Sequence, residues 1–374
     1  MTKNNYLNTA KATKNDEFYT QLEDIENELK YYKDYFKGKV VYCNCDGFLN
    51  EEKSNFFVYF SLNYEFLGLK GLICTKYNSN GKGKKYEYYG DLNGNNYPDE
   101  EEIFTSDLEG DGDFRSEECI ELLKKCDIVC TNPPFSLFRQ YVAQLFEYNK
   151  DFLIIGNVNA ISYKEVFPMI KENKMWLGYN TNKSCDFIIP DNYVVKGPGY
   201  VNERGAKHAV VPGICWFTNL DIQKRHDFIH SGRRYARTPK KYPKYDNYDA
   251  INVDKTNEIP DDYDGVMGVP ITFMDKYSPD QFEIIGLGIA NLGLSIGVHP
   301  YKPEHKQYRK EIQKRGAVDG DLYMLDENGN PVVPYARVLI RRNQADIDDL
   351  SSICLVTHRF RSTTEEYDIN VEED

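Results

Sequence analysis

The residues best suited to chemistry are Asn132, Pro133, Pro134 and Phe135, which close the stretch DIVCTNPPF. Asp127 to Thr131 is mostly apolar and β-branched, as an interior parallel strand tends to be, and proline cannot donate to a β-ladder, so the strand stops at Asn132. The Asn132 side-chain oxygen and the Pro133 carbonyl can together accept both N–H groups of an exocyclic amine. That draws the nitrogen toward a tetrahedral arrangement and directs its lone pair outward. Prolines bring no competing N–H and hold the carbonyl in place, so the acceptors are preorganised. Phe135 can stack on a base. A strand end followed by a proline turn is the bland alternative; the strand before, the aromatic after and the surrounding αβ array favour function.

The first half of the chain alternates helix and strand. The pattern predicts helices over 24–36, 54–68, from Ser116 through Cys126, and over 137–149, with strands over 38–45, 69–77, 127–131 and 151–157. Residues 78–102, polar and rich in Gly and Asn, read as a surface hairpin or loop. Strands separated by helices imply an α/β fold with a doubly wound, mostly parallel sheet. Ligands in such sheets sit at the carboxyl ends of the strands. Those ends here are CNCDG, TKY, GDF before the 116–126 helix, and NPPF, all polar or aromatic and suited to a nucleoside-like ligand. Beyond residue 160 short strand candidates follow: KMWLGYN, CDFIIP, YVVKG and AVVPGICWFTNL, and later QFEIIGLGIA and PYARVLIRR. A change to a basic, Tyr- and Pro-rich texture places a domain boundary between 220 and 221.

At 374 residues the chain can hold two domains. Its charged fraction of 28% and hydrophobic fraction of 41% exclude wholesale disorder, and no apolar run reaches the ~20 residues of a membrane span. Nine cysteines without a CxxC pair read as reduced thiols in a cytoplasmic protein. The six histidines form no HExxH or other ligand spacing, so no metal site is expected. A net charge of −13 argues against a uniformly polyanion-binding surface. The distribution reverses that: residues 222–245 carry eight Lys/Arg against one acid, and a second basic stretch runs from Lys302 to Arg315, followed by Arg337, Arg341 and Arg342.

DEFYT near the start, GDFRSEEC, TNPPFSLF, ISYKEVFPMI and YDGVMGVPITFMDKYSPDQFEIIG, in this order, resemble the EcoRI-type adenine-N6 DNA methyltransferases over residues 16 to about 285. The resemblance implies a class I methyltransferase fold, S-adenosylmethionine as cofactor, and an adenine flipped out of double-stranded DNA. It makes Asn132 to Phe135 the catalytic loop, and Phe18, Tyr19 and Thr20 the N-terminal cofactor segment. Asp113 and Phe114 become the residues that meet the cofactor's adenine amino group and ring. One departure stands out: most methyltransferases carry a Gly-rich FxGxG loop after the first strand, and only Gly47 is found here. Asn44, Asp46, Ser54 and Asn55 are then expected to supply the contacts. An acid after the second strand is also missing; Thr75 and Tyr77 occupy that place.

On this reading residues 1–220 form the catalytic domain and 221–374 a mixed target-recognition region. Arg225, Arg233, Arg234, Arg237, Lys240 and Lys241 are its candidate DNA contacts. A cytoplasmic monomer is expected, with room for a cognate restriction endonuclease. Two alternatives stay open: a methyltransferase for an RNA base amine or a protein glutamine, and a DNA-binding protein with an inactive methyltransferase domain. A loose EF-hand loop at 107–118 (Asp107, Glu109, Asp111, Gly112, Phe114, Glu118) lacks a preceding helix in the sequence pattern.

Overall fold

The computed structural model describes residues 19–45, 54–181, 183–189, 198–203 and 205–343. The chain forms two compact units that part between Ile222 and Gln223. In the first unit, β1 (Val40–Cys43), β2 (Gly71–Lys76), β3 (Lys84–Tyr88), β4 (Phe104–Asp107), β5 (Ile128–Thr131), β6 (Asp151–Asn157), β7 (Trp176–Leu177), β8 (Lys183–Ile189), β9 (Gly199–Val201) and β10 (Lys207–Thr218) build one sheet in the order 4-3-2-1-5-6-10-7, with β8 and β9 paired to β10. The central β2-β1-β5-β6 strands are parallel. Their residues are almost all buried, as expected of strands covered on both faces. This is a mixed α/β fold with a large sheet whose four central strands are parallel, consistent with the class I methyltransferase fold.

Several elements differ from the sequence pattern. The helix expected over 24–36 is two, Leu22–Leu29 and Lys33–Phe36: Tyr31 N and Tyr32 N bond three residues back, to Glu28 and Leu29, and Tyr32, at φ −115°, leaves the helical region. The helix expected over 54–68 is also two, Asn55–Leu62 and Tyr64–Leu67. Asn63 divides them: its Nδ2 donates to the Tyr59 carbonyl at 2.8 Å, the side-chain competition that interrupts helices. The 78–102 insertion contributes β3, antiparallel to β2, and β4 then pairs antiparallel with β3. The candidate AVVPGICWFTNL belongs to the twelve-residue β10, which bulges between Val211 and Ile214. Pro212 cannot donate and Gly213 sits at φ +75°, so the ladder breaks there. Below the bulge β10 pairs with β8 and β9; above it β10 pairs with β6 and β7, and once more with β8, Ile214 opposite Lys183. YVVKG lies outside the described residues.

Glu28 fastens the N-terminal helix to the segment after β7. It is fully buried and accepts from Tyr32 Oη, Tyr179 N, Asn180 N and Asn180 Nδ2, all between 2.7 and 2.8 Å. Gly178 allows this approach, since a Cβ there would strike the carboxylate. Glu28→Ala strands four donors and is expected to cost about 3 kcal/mol or more, read as a lower urea midpoint at unchanged m-value. Burial raises the Glu28 pKa while its donors pull it down, and the net shift is upward. The folded form thus binds the proton more tightly than the unfolded chain. Stability from this group falls as pH rises above the ordinary value of 4.5, a slope the alanine variant lacks.

The second unit contains a sheet in the order 11-12-16-13, formed by β11 (Ile251–Asn252), β12 (Met267–Pro270), β13 (Phe282–Leu287) and β16 (Arg337–Arg342). Between them in sequence lies the hairpin of β14 (Met324–Leu325) and β15 (Pro331–Val332). β16 runs antiparallel to β12 and β13, whereas β11 and β12 are parallel. Among the described residues no helix is long and apolar enough to cross a membrane.

Candidate active site

β1 hydrogen-bonds to β2 on one side and β5 on the other, and the chain reverses its winding between β1 and β5. This is the switch point at which open α/β sheets bind ligands. The two carboxyl ends are joined there: Cys45 N donates to Thr131 Oγ1 at 3.1 Å. Asn44 and Asn132, the next residues along each strand, come together at this crevice.

Asn132 is 5% exposed, and its Nδ2 donates to Thr20 Oγ1 at 3.2 Å. An amide that gives its NH2 to Thr20 has its carbonyl oxygen on the other side, the orientation an amine acceptor requires. Pro133 is buried and Pro134 half-buried, and the Pro134 carbonyl accepts from Leu137 N at 2.9 Å. A short 3-10 helix, Phe135–Leu137, leads into the helix Phe138–Glu147. Phe138 seats that helix: its ring lies 5.1 Å from Phe217 over Gly156, where a Cβ would come within 2.6 Å of the Phe138 ring. Phe135 is 6% exposed and edge-on to Phe187 of β8 at 6.5 Å. Presenting its face to a base requires the ring to turn from this position.

Thr20 gathers the N-terminal segment onto the same crevice. Its carbonyl accepts from Asn55 Nδ2 at 2.7 Å, and Tyr19 bridges Ile188 of β8 through two backbone hydrogen bonds. Ser54 caps the helix Asn55–Leu62, its Oγ accepting from Phe57 N at 3.1 Å. Ser54 and Asn55 therefore use polar atoms within the fold. Phe18 and Asp46 lie outside the described residues.

On the opposite wall, the Tyr141 hydroxyl donates to Asn44 Oδ1. Asn44 is 2% exposed, and its Nδ2 has no hydrogen-bond partner among the described residues. A buried, unpartnered donor is costly unless a ligand satisfies it. Tyr141 stands edge-on to Phe114 at 5.0 Å, and Gln144 Nε2 donates to the Phe114 carbonyl at 3.1 Å. Gln144 Oε1 is likewise buried with no partner among the described residues. Asp113 accepts from Arg115 at Nε (2.9 Å) and at a terminal nitrogen (2.6 Å). Arg115 holds the Asp113 carboxyl below the usual carboxylate range, so it is an anionic acceptor at neutral pH. Thr75, by contrast, is fully buried in the sheet and hydrogen-bonded to the Tyr42 hydroxyl at 3.1 Å.

Tyr141, Gln144, Thr131 and Phe187 are not among the site residues of the sequence reading. Tyr141 and Gln144 look like ordinary helix residues, and the partner that defines Tyr141 is 97 positions away. The EF-hand pattern at 107–118 follows a strand, β4, instead of a helix, and Glu118 accepts from the loop's own Glu109 N at 2.9 Å.

The basic residues of the second unit sort by environment. Arg233, Arg234, Arg237 and Lys240 are exposed and form no ion pair among the described residues. Lys241 pairs with Glu258 at 2.9 Å, and Arg225 is half-buried. Asp261 and Asp262 hold the backbone of this segment, accepting from Ser231 and Gly232 N and from Tyr235 and Ala236 N, which leaves the cationic side chains outward. Arg337 and Arg342 are buried, bonded to Asn252 and to the Pro260 carbonyl.

Comparison with known proteins bears on this geometry. A family model described as adenine-specific methyltransferase EcoRI matches residues 6–343. The type II methyltransferase M.EcoRI of Escherichia coli is 50% identical over 313 residues, spanning 80% of this chain and 94% of its own length. M.MpnI of Mycoplasma pneumoniae is 42% identical over 284 residues, covering 75% and 85% of the two chains. M.MgeORF184P of Mycoplasma genitalium is 39% identical over 283 residues, again 75% and 85%. No solved structure matches significantly.

Proposed function

Since this chain belongs to the EcoRI family of adenine-specific methyltransferases and is a site-specific DNA adenine methyltransferase, we propose that Asn132 and Pro133 hold the target amine and that Asn44 anchors S-adenosylmethionine. The observation that carries this is the meeting of two oriented amides at the switch point. Asn132 is turned by Thr20 to present an acceptor, and Asn44 is turned by Tyr141 to present a donor with no partner among the described residues.

Asn132 Oδ1 and the Pro133 carbonyl accept the two N6–H groups of an adenine that has left its stack, at a cost of a few kcal/mol. They localise the N6 lone pair, which in free adenine is spread into the ring, and so make the nitrogen nucleophilic. The proton shed on methylation is hydrogen-bonded to one of these acceptors, which are too weakly basic to keep it, and it passes to water. Bound S-adenosylmethionine supplies an electrophilic sulfonium methyl. Asn44 Nδ2 suits an acceptor group of that cofactor, and the Asp113 carboxylate suits its adenine amino group. Phe114 and Thr20 border the same space. Most of the acceleration comes from positioning. In this reading residues 1–220 are the catalytic domain, and 221–374 position double-stranded DNA through Arg233, Arg234, Arg237 and Lys240.

The cofactor half is tested by calorimetry. Asn44→Ala is expected to weaken S-adenosylmethionine binding by about tenfold or more. Tyr141→Phe frees the amide to rotate and is expected to weaken it less, with DNA affinity unchanged in both. Unaltered cofactor affinity in Asn44→Ala would remove Asn44 from the site.

A further inference from the structure

The basic stretch from Lys302 to Arg315 separates, in the structure, into charges that are used and charges that are not. Lys302 pairs with Asp246 at 2.9 Å and Lys306 with Asp319 at 2.8 Å. Arg309 is 8% exposed; its Nε and one terminal nitrogen donate to the Gly316 carbonyl, and the other terminal nitrogen donates to Gln313 Oε1. Gln313 in turn donates to the Pro331 carbonyl at 3.0 Å. Arg309 is therefore an internal brace that folds residues 313–316 back beside the helix Pro303–Glu311. The turn places Lys314 at φ +52°, a left-handed conformation uncommon for lysine.

The brace gathers Lys310, Lys314 and Arg315 around one concavity of about 520 Å³, with Lys306, Gly316 and Ala317 on its walls. All three are exposed and form no ion pair among the described residues. At about 100° per residue, Glu304 and Glu311 lie on a different helix face from Lys306 and Lys310, and Glu311 is occupied by Gln307 Nε2 at 3.2 Å. The helix C-terminus beside them carries only about half a negative charge. Most of three positive charges thus remains uncompensated, held by a buried arginine in a chain of net charge −13.

We propose that this concavity grips the phosphate backbone of duplex DNA, as an anchor additional to the 233–240 segment and indifferent to base sequence. The proposal rests on the reading of the chain as a DNA methyltransferase. Three cations around one hollow suit a phosphodiester and its neighbours, and such contacts position a duplex without reading it.

The test combines Lys310→Gln, Lys314→Asn and Arg315→Gln in the full chain; asparagine tolerates the left-handed backbone at 314. Equilibrium binding to a site-containing and a scrambled duplex is measured over a series of salt concentrations. Both affinities are expected to fall about 10- to 100-fold at low salt, and the slope of log K against log salt to become shallower by up to about 2.7, roughly 0.9 per lost phosphate contact. S-adenosylmethionine affinity and the unfolding midpoint should match wild type. Unchanged DNA affinity and slope would overturn the proposal. So would inorganic phosphate binding by the wild type, lost in the variant without any change in the DNA slope, which would mark a free-anion site. Wild-type protein that neither binds nor methylates DNA would overturn the functional reading itself, a failure visible before any variant is made.

Discussion

Asn132→Ala is expected to lower the single-turnover methylation rate by roughly 10²- to 10³-fold, the usual effect of removing one preorganised hydrogen-bonding group from a reacting centre. Alanine deletes the oxygen that accepts from N6 and leaves the Pro133 carbonyl alone. It also releases Thr20 Oγ1, which Asn132 Nδ2 now holds at 3.2 Å. Thr20 keeps its second tie, the Asn55 Nδ2 bond to its carbonyl, so the N-terminal segment should stay in place. S-adenosylmethionine and duplex affinities should therefore change little. Asn132→Asp is the informative companion. A carboxylate still accepts from N6, and the Thr20 hydroxyl can rotate to donate to it, so much of the lost rate should return. Equal rates for wild type and Asn132→Ala at saturating ligands would mean that another residue holds the amine.

The second large effect concerns DNA. Neutralising Arg233, Arg234, Arg237 and Lys240 together, each to Gln, is expected to weaken duplex binding by about 10²-fold or more at moderate salt, and to flatten the salt slope by up to about 3.6. At saturating DNA the methylation rate should stay near wild type, because these residues are assigned to binding and not to the reacting atoms. Lys241→Gln provides the internal contrast. Its ammonium already faces Glu258 at 2.9 Å, so its loss should change affinity much less. Equal losses for the single variants Lys241→Gln and Arg233→Gln would show that ion pairing in the free protein does not decide which cations meet DNA.

Which features could be read from sequence follows from where their causes lie. The parallel strands were legible because each is a short, mostly apolar run, closed in the case of β5 by Asn132-Pro133. The two split helices were not, because Tyr32 leaves the helical region at φ −115° with its side chain fully buried, and Asn63 competes for a helix carbonyl. Both decisions override a continuous apolar periodicity. The candidate 209–220 already ran through Pro212-Gly213; what it could not show is that this pair makes a bulge at which β10 changes partners.

At the site, the NPPF loop was visible at a strand end, and the Asp113-Phe114 pair just ahead of the helix that Ser116 caps. The tie between Asn44 and Tyr141 was not, since it joins a strand end to the middle of a later helix. Nor could the sequence separate Lys306, paired with Asp319, from Lys310, which is not. Charge counts are local, whereas partners are set by the fold.

The central claim is that the crevice between β1 and β5 methylates adenine at N6 in DNA. The most direct measurement incubates the protein with methyl-labelled S-adenosylmethionine and unmethylated duplex DNA, then digests the DNA to nucleosides and identifies the labelled one. The prediction is label in N6-methyldeoxyadenosine alone. Label on a cytosine, or on adenine at a ring nitrogen, would contradict it.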